Sequence, residues 1–191
     1  MFTEKEYGSE NFKDLTCSGE SFESIEFYQC TFQNCNFEKT IFKKCIFTEC
    51  TFKQCNLSLM KIPTSTFIET EFRSSKMVGI NWTSISSQVF SVEFHECVLN
   101  YSIFDSVNLN GTKMLGCTIH EADFSNASLK EAVCTDTDFA GSTFSDTNLT
   151  KADFRSARNY GMVPADNVLT KAKFSVPEVL CLLDAMGVEF E

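Results

Sequence analysis

Every fifth residue of this chain is apolar. Counting by fives from Phe12, the positions run Phe, Cys, seven Phe, Leu, Ile, Phe, Phe, Met and Trp82, all 15 apolar. The register then slips by two residues and resumes at Val89, from which 14 more positions to Phe154 are again all apolar. In a chain that is 43% hydrophobic, 29 apolar positions in 29 are not chance. The stretch CTFQN CNFEK TIFKK CIFTE CTFKQ C, from Cys30 to Cys55, shows the unit plainly. Each block places an aromatic residue in third position, and four of the five blocks open with cysteine.

Charge obeys the same period. Between residues 12 and 154 no charged residue takes a central position, and only Glu20 lies two residues before one. That earlier position is Ala, Ser, Thr, Cys or Val in 23 of the 29 blocks. Five is the period of neither an α-helix, at about 3.6 residues, nor a plain strand, at about 2. In extended backbone, however, residues two apart point to the same side. The central residue and the small one before it therefore face inward together, while the other three are polar and turn the chain through a corner. Sides this short are not stable strands alone, so successive turns must stack and share backbone hydrogen bonds.

Matching residues recur at a spacing of 20: Phe32, Phe52 and Phe72; Phe104, Phe124 and Phe144; Leu109, Leu129 and Leu149. Four blocks per turn give an all-β coil of square section, with these residues as its core ladder. About seven turns at about 4.8 Å make a rod on the order of 34 Å long. The repeat occupies residues 12–174 after an N-terminal segment, 1–11, with the slip at 83–88 and an irregular stretch at 159–168. Residues 175–191 form a closing segment. There Ser175-Val176-Pro177-Glu178 reads as a capping box with proline in the first turn. The helix it starts is expected to end at Gly187 and to set Val176, Val179, Leu180, Leu183 and Met186 on one stripe. Leu182, Val188 and Phe190 add apolar surface beyond that stripe. With Val179, Leu180, Leu183 and Met186 they are the candidate dimer interface. The slip reads as a small bulge at one corner.

Blocks such as ADFSN, ASLKE and ADFRS resemble those of the pentapeptide-repeat proteins. The resemblance covers residues 12–174 and implies a right-handed quadrilateral β-helix with a C-terminal capping α-helix. Within that family the chain resembles the branch of Qnr-type and topoisomerase-poison immunity proteins. This branch implies binding to DNA gyrase or topoisomerase IV by imitation of duplex DNA, quinolone resistance, and dimerisation C-terminus to C-terminus.

Composition narrows the functional classes further. A net charge of −10 argues against direct nucleic-acid binding, which needs clustered cations. No apolar run approaches the roughly 18 residues of a membrane span, and none at the N-terminus reads as a signal peptide. A cytoplasmic location is therefore expected. Seven of the ten cysteines fall on the small inward position, where a free thiol serves as a small hydrophobe. No zinc spacing, phosphate loop or nucleophile motif is present. The chain is expected to be no enzyme and to hold no cofactor. Residues 83–160 carry five basic and ten acidic residues, against nine and eleven in 1–82. Glu121, Asp123, Glu131, Asp136, Asp138, Asp146 and Asp153 are the candidate partner-binding acids. The alternative is a β-helical scaffold with an unrelated protein partner.

Overall fold

The computed structural model describes residues 2–86 and 89–188. The chain winds into a parallel solenoid of about eight turns with one small C-terminal helix. Every inter-coil pairing is parallel and joins residue i to i+20, as Phe12 to Phe32 and Phe32 to Phe52, until the slip lengthens one coil. The four faces are named here by their central residues. Face 1 carries Tyr7, Phe27, Phe47 and Phe67, and face 2 carries Phe12, Phe32, Phe52, Phe72 and Phe94. Face 3 follows Cys17, Phe37, Leu57 and Met77; face 4 follows Phe22, Phe42, Ile62, Trp82, Phe104, Phe124 and Phe144.

The aromatic columns stack face over face. Phe52 lies 4.5 Å from Phe32 and 5.1 Å from Phe72, with ring planes 11° and 15° apart. Neighbouring columns meet edge-on, as Phe52 meets Phe47 at 5.6 Å and 62°. The axis is thus filled by two geometries that suit the aromatic quadrupole.

Each corner is turned by the residue two after the centre, which adopts the left-handed conformation: Asp14, Asn34, Gln54 and Ser74 at φ 54°, 54°, 55° and 46° on face 2. A left-handed L-residue costs about 1–2 kcal/mol. Its amide is not idle, since Asp14 donates to Gln33 at 3.0 Å and Gln54 to Arg73 at 2.9 Å in the next coil.

The small inward position explains itself through backbone carbonyls. The Thr40 hydroxyl donates to Cys17 O at 2.6 Å, Ser65 to Phe42 O at 2.8 Å, and Thr137 to Met114 O at 2.7 Å. The cysteines point their thiols the same way, Cys50 to Phe27 O and Cys55 to Phe32 O at 3.4 and 3.3 Å. The slot therefore takes a hydroxyl that donates to a carbonyl and can also accept an amide, as Ser65 accepts the Cys45 amide at 2.9 Å and Thr137 the Cys117 amide at 3.2 Å, or a side chain with no polar atom at all, as with Ala122 and Ala132. Glu10 and Glu20 hold this position in the first coil, where both are exposed. Burial pushes Cys50 and Cys117 up to about 12 and Cys97 to about 11. Nine cysteines are buried and Cys181 is exposed. Ellman's reagent is accordingly expected to titrate one fast thiol in the native protein and all ten after unfolding. Several thiols reacting as fast as Cys181 would contradict the packing.

Three details differ from the sequence reading. The coil starts before Phe12: strand Glu6–Gly8 pairs with Glu26–Tyr28, and Phe2 lies across the open end, 4.9–5.2 Å from Phe12, Phe22 and Phe27. Val89 does not resume the core column. It is 47% exposed, and Phe90 pairs with Phe67 instead, its ring 5.5 Å from Trp82; the register shift falls between Phe90 and Val92. The larger ring fills the column that valine would leave loose. A 3₁₀ turn at Trp82–Ser84 leads into the slip, of which residues 87–88 lie outside the described residues.

The third difference is the helix, here α1, which spans only Leu180–Ala185. Ser175 does not cap it, because its hydroxyl accepts the Ser156 amide at 3.1 Å, and a residue preceding proline disfavours the helical region. Gly187 closes α1 as expected, at φ 72°. The stripe is rotated from the expected one: Leu182 is buried and Val179 packs on the core, whereas Val176, Leu183 and Met186 are exposed. Leu169 and Phe174 return to register, with Phe174 5.8 Å from Phe154.

Candidate interaction surface

A square solenoid sorts its charges by face, because outward positions of one block recur directly above one another. The seven candidate acids do not converge. Asp153 lies on face 2, Asp138 on face 3 and Asp123 on face 4. Glu131, Asp136, Glu121 and Asp146 sit at the four different corners, each in the left-handed conformation. They are thus distributed around the rod.

Three of them are also neutralised. Asp153 is buried, and the Arg155 guanidinium grips it at 2.6 and 2.9 Å, which holds its carboxyl below the usual range. Burial alone would raise Asp138, but bonds from Asn159, the Ala140 amide, Arg158 and His120 outweigh it and bring it down. Arg158 Nε lies 3.0 Å from the Asp138 carboxylate. Glu131 meets Lys151 at 2.9 Å, and that hydrogen bond lowers it. These pairs leave faces 1, 2 and 3 mixed in sign.

Face 4 is different. From Tyr101 onward its outward positions carry Asp105, Glu121, Asp123, Asp146 and Asp166 and no basic residue. Among the described residues none of the five makes an ion pair. Their bonds are local: Asp123 accepts the Ser125 amide at 2.9 Å, and Asp105 accepts Asn126 Nδ2 at 2.9 Å. Bridges Asn81–Ile103, Ile103–Asp123 and Asp123–Thr143 place these residues on consecutive coils of one face. The sequence reading nominated Glu121, Asp123 and Asp146 but missed Asp105 and Asp166. Projecting the charges onto columns of 20, and of 22 across the slip, is the signal that finds them.

At the C-terminal end, Leu183, Met186 and Val188 are exposed at 37%, 61% and 44%, beside Val176 at 79%. Val179 and Leu182 turn inward and Leu180 is half-buried, while Phe190 lies outside the described residues. Among the described residues no group of three His, Cys, Asp or Glu is placed to hold a metal ion, and no helix is long and apolar enough to cross a membrane.

Such a molecule is a repeat solenoid that presents flat, outward-facing side chains around an inert aromatic axis. Residues 25–101 match the pentapeptide repeat region family, and residues 93–130 and 117–155 match the family of pentapeptide repeats in 8 copies. The chain belongs to the pentapeptide-repeat proteins. No curated protein matches it. Among solved structures it is similar to trypsin-treated QnrB1, a plasmid-mediated fluoroquinolone resistance protein, with a TM-score of 0.75 at 18% identity over 97% of each chain. A second trypsin-treated QnrB1 gives 0.70 at 18% identity, covering 95% of this chain and 100% of that one. Full-length QnrB1 gives 0.53 at 19%, covering 93% and 100%. At these identities the likeness is one of fold.

Proposed function

We propose that the protein is a non-catalytic DNA mimic that acts in the cytoplasm by binding a type II topoisomerase, DNA gyrase or topoisomerase IV, and modulates it or shields it from inhibitors. The observation that carries this reading is the C-terminal half of face 4, five carboxylates with no cation among them. Its coils repeat at about 4.8 Å, and a DNA strand spaces its phosphates along the axis at about 3.4 Å. A rigid acidic face on that scale offers a DNA-binding groove the charge it is built to receive. The QnrB1 likeness supports the choice of partner class. The exposed Leu183, Met186 and Val188 support a homodimer joined at its C-terminal ends. Two coils of about eight turns then make a rod on the order of 75 Å, about 22 base pairs of duplex.

The paired charges of faces 1 to 3 favour the second reading, a β-helical scaffold whose partner has nothing to do with DNA. Gyrase supercoiling of relaxed plasmid, with and without a fluoroquinolone, separates the two. Rising concentrations of the protein are expected to inhibit supercoiling or to rescue it from the drug. The isosteric variant Asp105→Asn, Asp123→Asn, Asp146→Asn, Asp166→Asn is expected to lose most of that effect. A Glu69→Gln, Glu131→Gln variant, neutralised on another side of the rod, is expected to retain it. Flat curves for the unaltered protein would end the gyrase reading and leave the scaffold.

A further inference from the structure

Face 4 carries its unpaired acids in its second half; in the first half Glu23 is engaged by Lys43 and Lys44. Its second and third coils carry Lys39, Lys43, Lys44 and Lys61, and its fifth and sixth carry Asp105, Glu121 and Asp123. Between these halves lies a waist of small residues, Gly79, Asn81, Thr83 and Ser84. Around the waist are three of the larger exposed apolar side chains of the chain, Leu59 at 45%, Tyr101 at 61% and Ile103 at 40%. A depression of about 620 Å³ opens there, with Lys39, Ile41, Leu59, Lys61, Pro63 and Gly79 in its wall and no acidic side chain. Gly79 makes the room: a Cβ at this residue would stand 2.8 Å from the Leu59 Cδ2 atom.

We infer that face 4 is a self-complementary surface on which a second copy of this chain docks antiparallel, its acidic half against the basic half of the first. The argument is one of symmetry. Two solenoids meeting face to face and running in opposite directions are related by a two-fold axis lying along the strands. That axis inverts position along the rod and preserves position across the face. With the axis at the waist, coil two faces coil six and coil three faces coil five. Lys39 and Glu121 occupy the same corner on coils two and six, so each finds the other on the opposite copy. Lys61 comes beside Ile103, with Asp105 and Asp123 on either side of it. The projecting Tyr101 ring stands over the depression beside Leu59. Because an isologous contact repeats, every such pair forms twice.

Of the 16 basic residues of the chain, four stand together on this face, Lys39, Lys43, Lys44 and Lys61, and Lys39 and Lys61 are the two that the two-fold brings to acids. Lys43 and Lys44 share Glu23, at 3.0 and 3.6 Å, so the pair keeps a net positive charge. Lys61 makes no ion pair among the described residues. The contact spans about five coils, or about 24 Å, which places it in the small, transient class of interfaces. It does not depend on the topoisomerase reading, but it covers Glu121 and Asp123 and so competes with any basic partner that uses them.

The test is sedimentation equilibrium of the full chain carrying Leu183→Glu and Met186→Glu, which removes association through the C-terminal end. This parent is expected to dimerise at about 20 mM salt and to dissociate as the Debye length shrinks toward about 3 Å near 1 M. Lys39→Glu with Lys61→Glu on one chain, or Glu121→Lys with Asp123→Lys on another, is expected to weaken dimerisation about 10-fold or more. Mixing the two variants is expected to restore it, because both sets of opposite charges re-form in the mixed dimer. Rescue on mixing also shows that neither variant failed to fold. A parent that stays monomeric at low salt, variants that dimerise as well as the parent, or a mixture no tighter than either variant alone would overturn the proposal. No topoisomerase is present in this assay, so its outcome is independent of the supercoiling result.

Discussion

Replacing Phe52 with alanine is expected to remove about 3–5 kcal/mol of unfolding stability, the range for deleting a buried aromatic ring from a packed core. The position is chosen for its neighbours. Phe52 is 1% exposed and sits between the Phe32 and Phe72 rings of the coils on either side. It also meets Phe37 and Phe47 edge-on at 6.2 and 5.6 Å. Removing the ring therefore opens a void bounded on every side by rings that are themselves held by the β-ladders and cannot collapse into it. The same change at Phe22 is expected to cost less. That ring has Phe42 on one side at 5.4 Å and only the terminal Phe2 on the other, and it is already 8% exposed. Urea unfolding followed by far-ultraviolet circular dichroism checks both. A Phe52→Ala deficit of about 1 kcal/mol or less, at the level of a surface change, would mean that the stack is not what holds the coils together.

The contrast between these two phenylalanines shows where the sequence speaks and where it does not. A five-residue period is a statement about one block, and it is legible because every block must put a large apolar side chain on the axis. The spacing of 20 is legible because stacked positions share an environment. An end has no neighbour to match. Tyr7 and Phe2 obey the period as well as Phe12 does, but charged residues, Lys5, Glu10 and Glu20, hold the small positions of this end. Those charges are tolerated because the first coil has no coil beneath it to close the slot, and Glu10 and Glu20 are both exposed. The slip was legible as a change of count, but not its place. Phe90 and Val89 are both apolar, and only the cavity above Phe67 decides between them. The start of α1 was misread because a capping box is a local signal, and the Ser175 hydroxyl was already committed to Ser156 in another coil. The acidic face was hidden for a further reason. Asp105, Asp123 and Asp146 lie in three different columns, and comparing single columns one at a time never brings them onto one face.

The carbonyl wall itself makes the second large prediction. Thr70 is fully buried on face 2, and its hydroxyl donates to Phe47 O at 3.1 Å and Ile68 O at 3.3 Å. Thr70→Ser keeps the donor and is expected to cost little. Thr70→Val loses it, exposes two carbonyls to an apolar group, and is expected to cost about 1–3 kcal/mol. Thr70→Asp is the severe case, because an ionised carboxylate is an acceptor only and would face those same carbonyl oxygens away from water. The expected deficit is about 3–5 kcal/mol at neutral pH, as for other unpaired buried charges. Its pH dependence identifies the cause. Burial favours the neutral acid, so the folded-state pKa of the new carboxyl lies above the unfolded value of about 3.9. Between those two values the folded chain holds a proton that the unfolded chain has released. Stability of the variant therefore falls by up to about 1.4 kcal/mol per pH unit as pH rises from about 4. It levels off once the folded-state pKa is passed. Below the unfolded value both states are protonated, the carboxyl regains an O–H for Phe47 O, and the deficit shrinks toward that of Thr70→Asn. Urea midpoints of the Asp and Asn variants across that pH range decide the matter. A constant gap between them would show that the carboxylate escapes to solvent, and that the slot selects for size rather than for a hydrogen-bond donor.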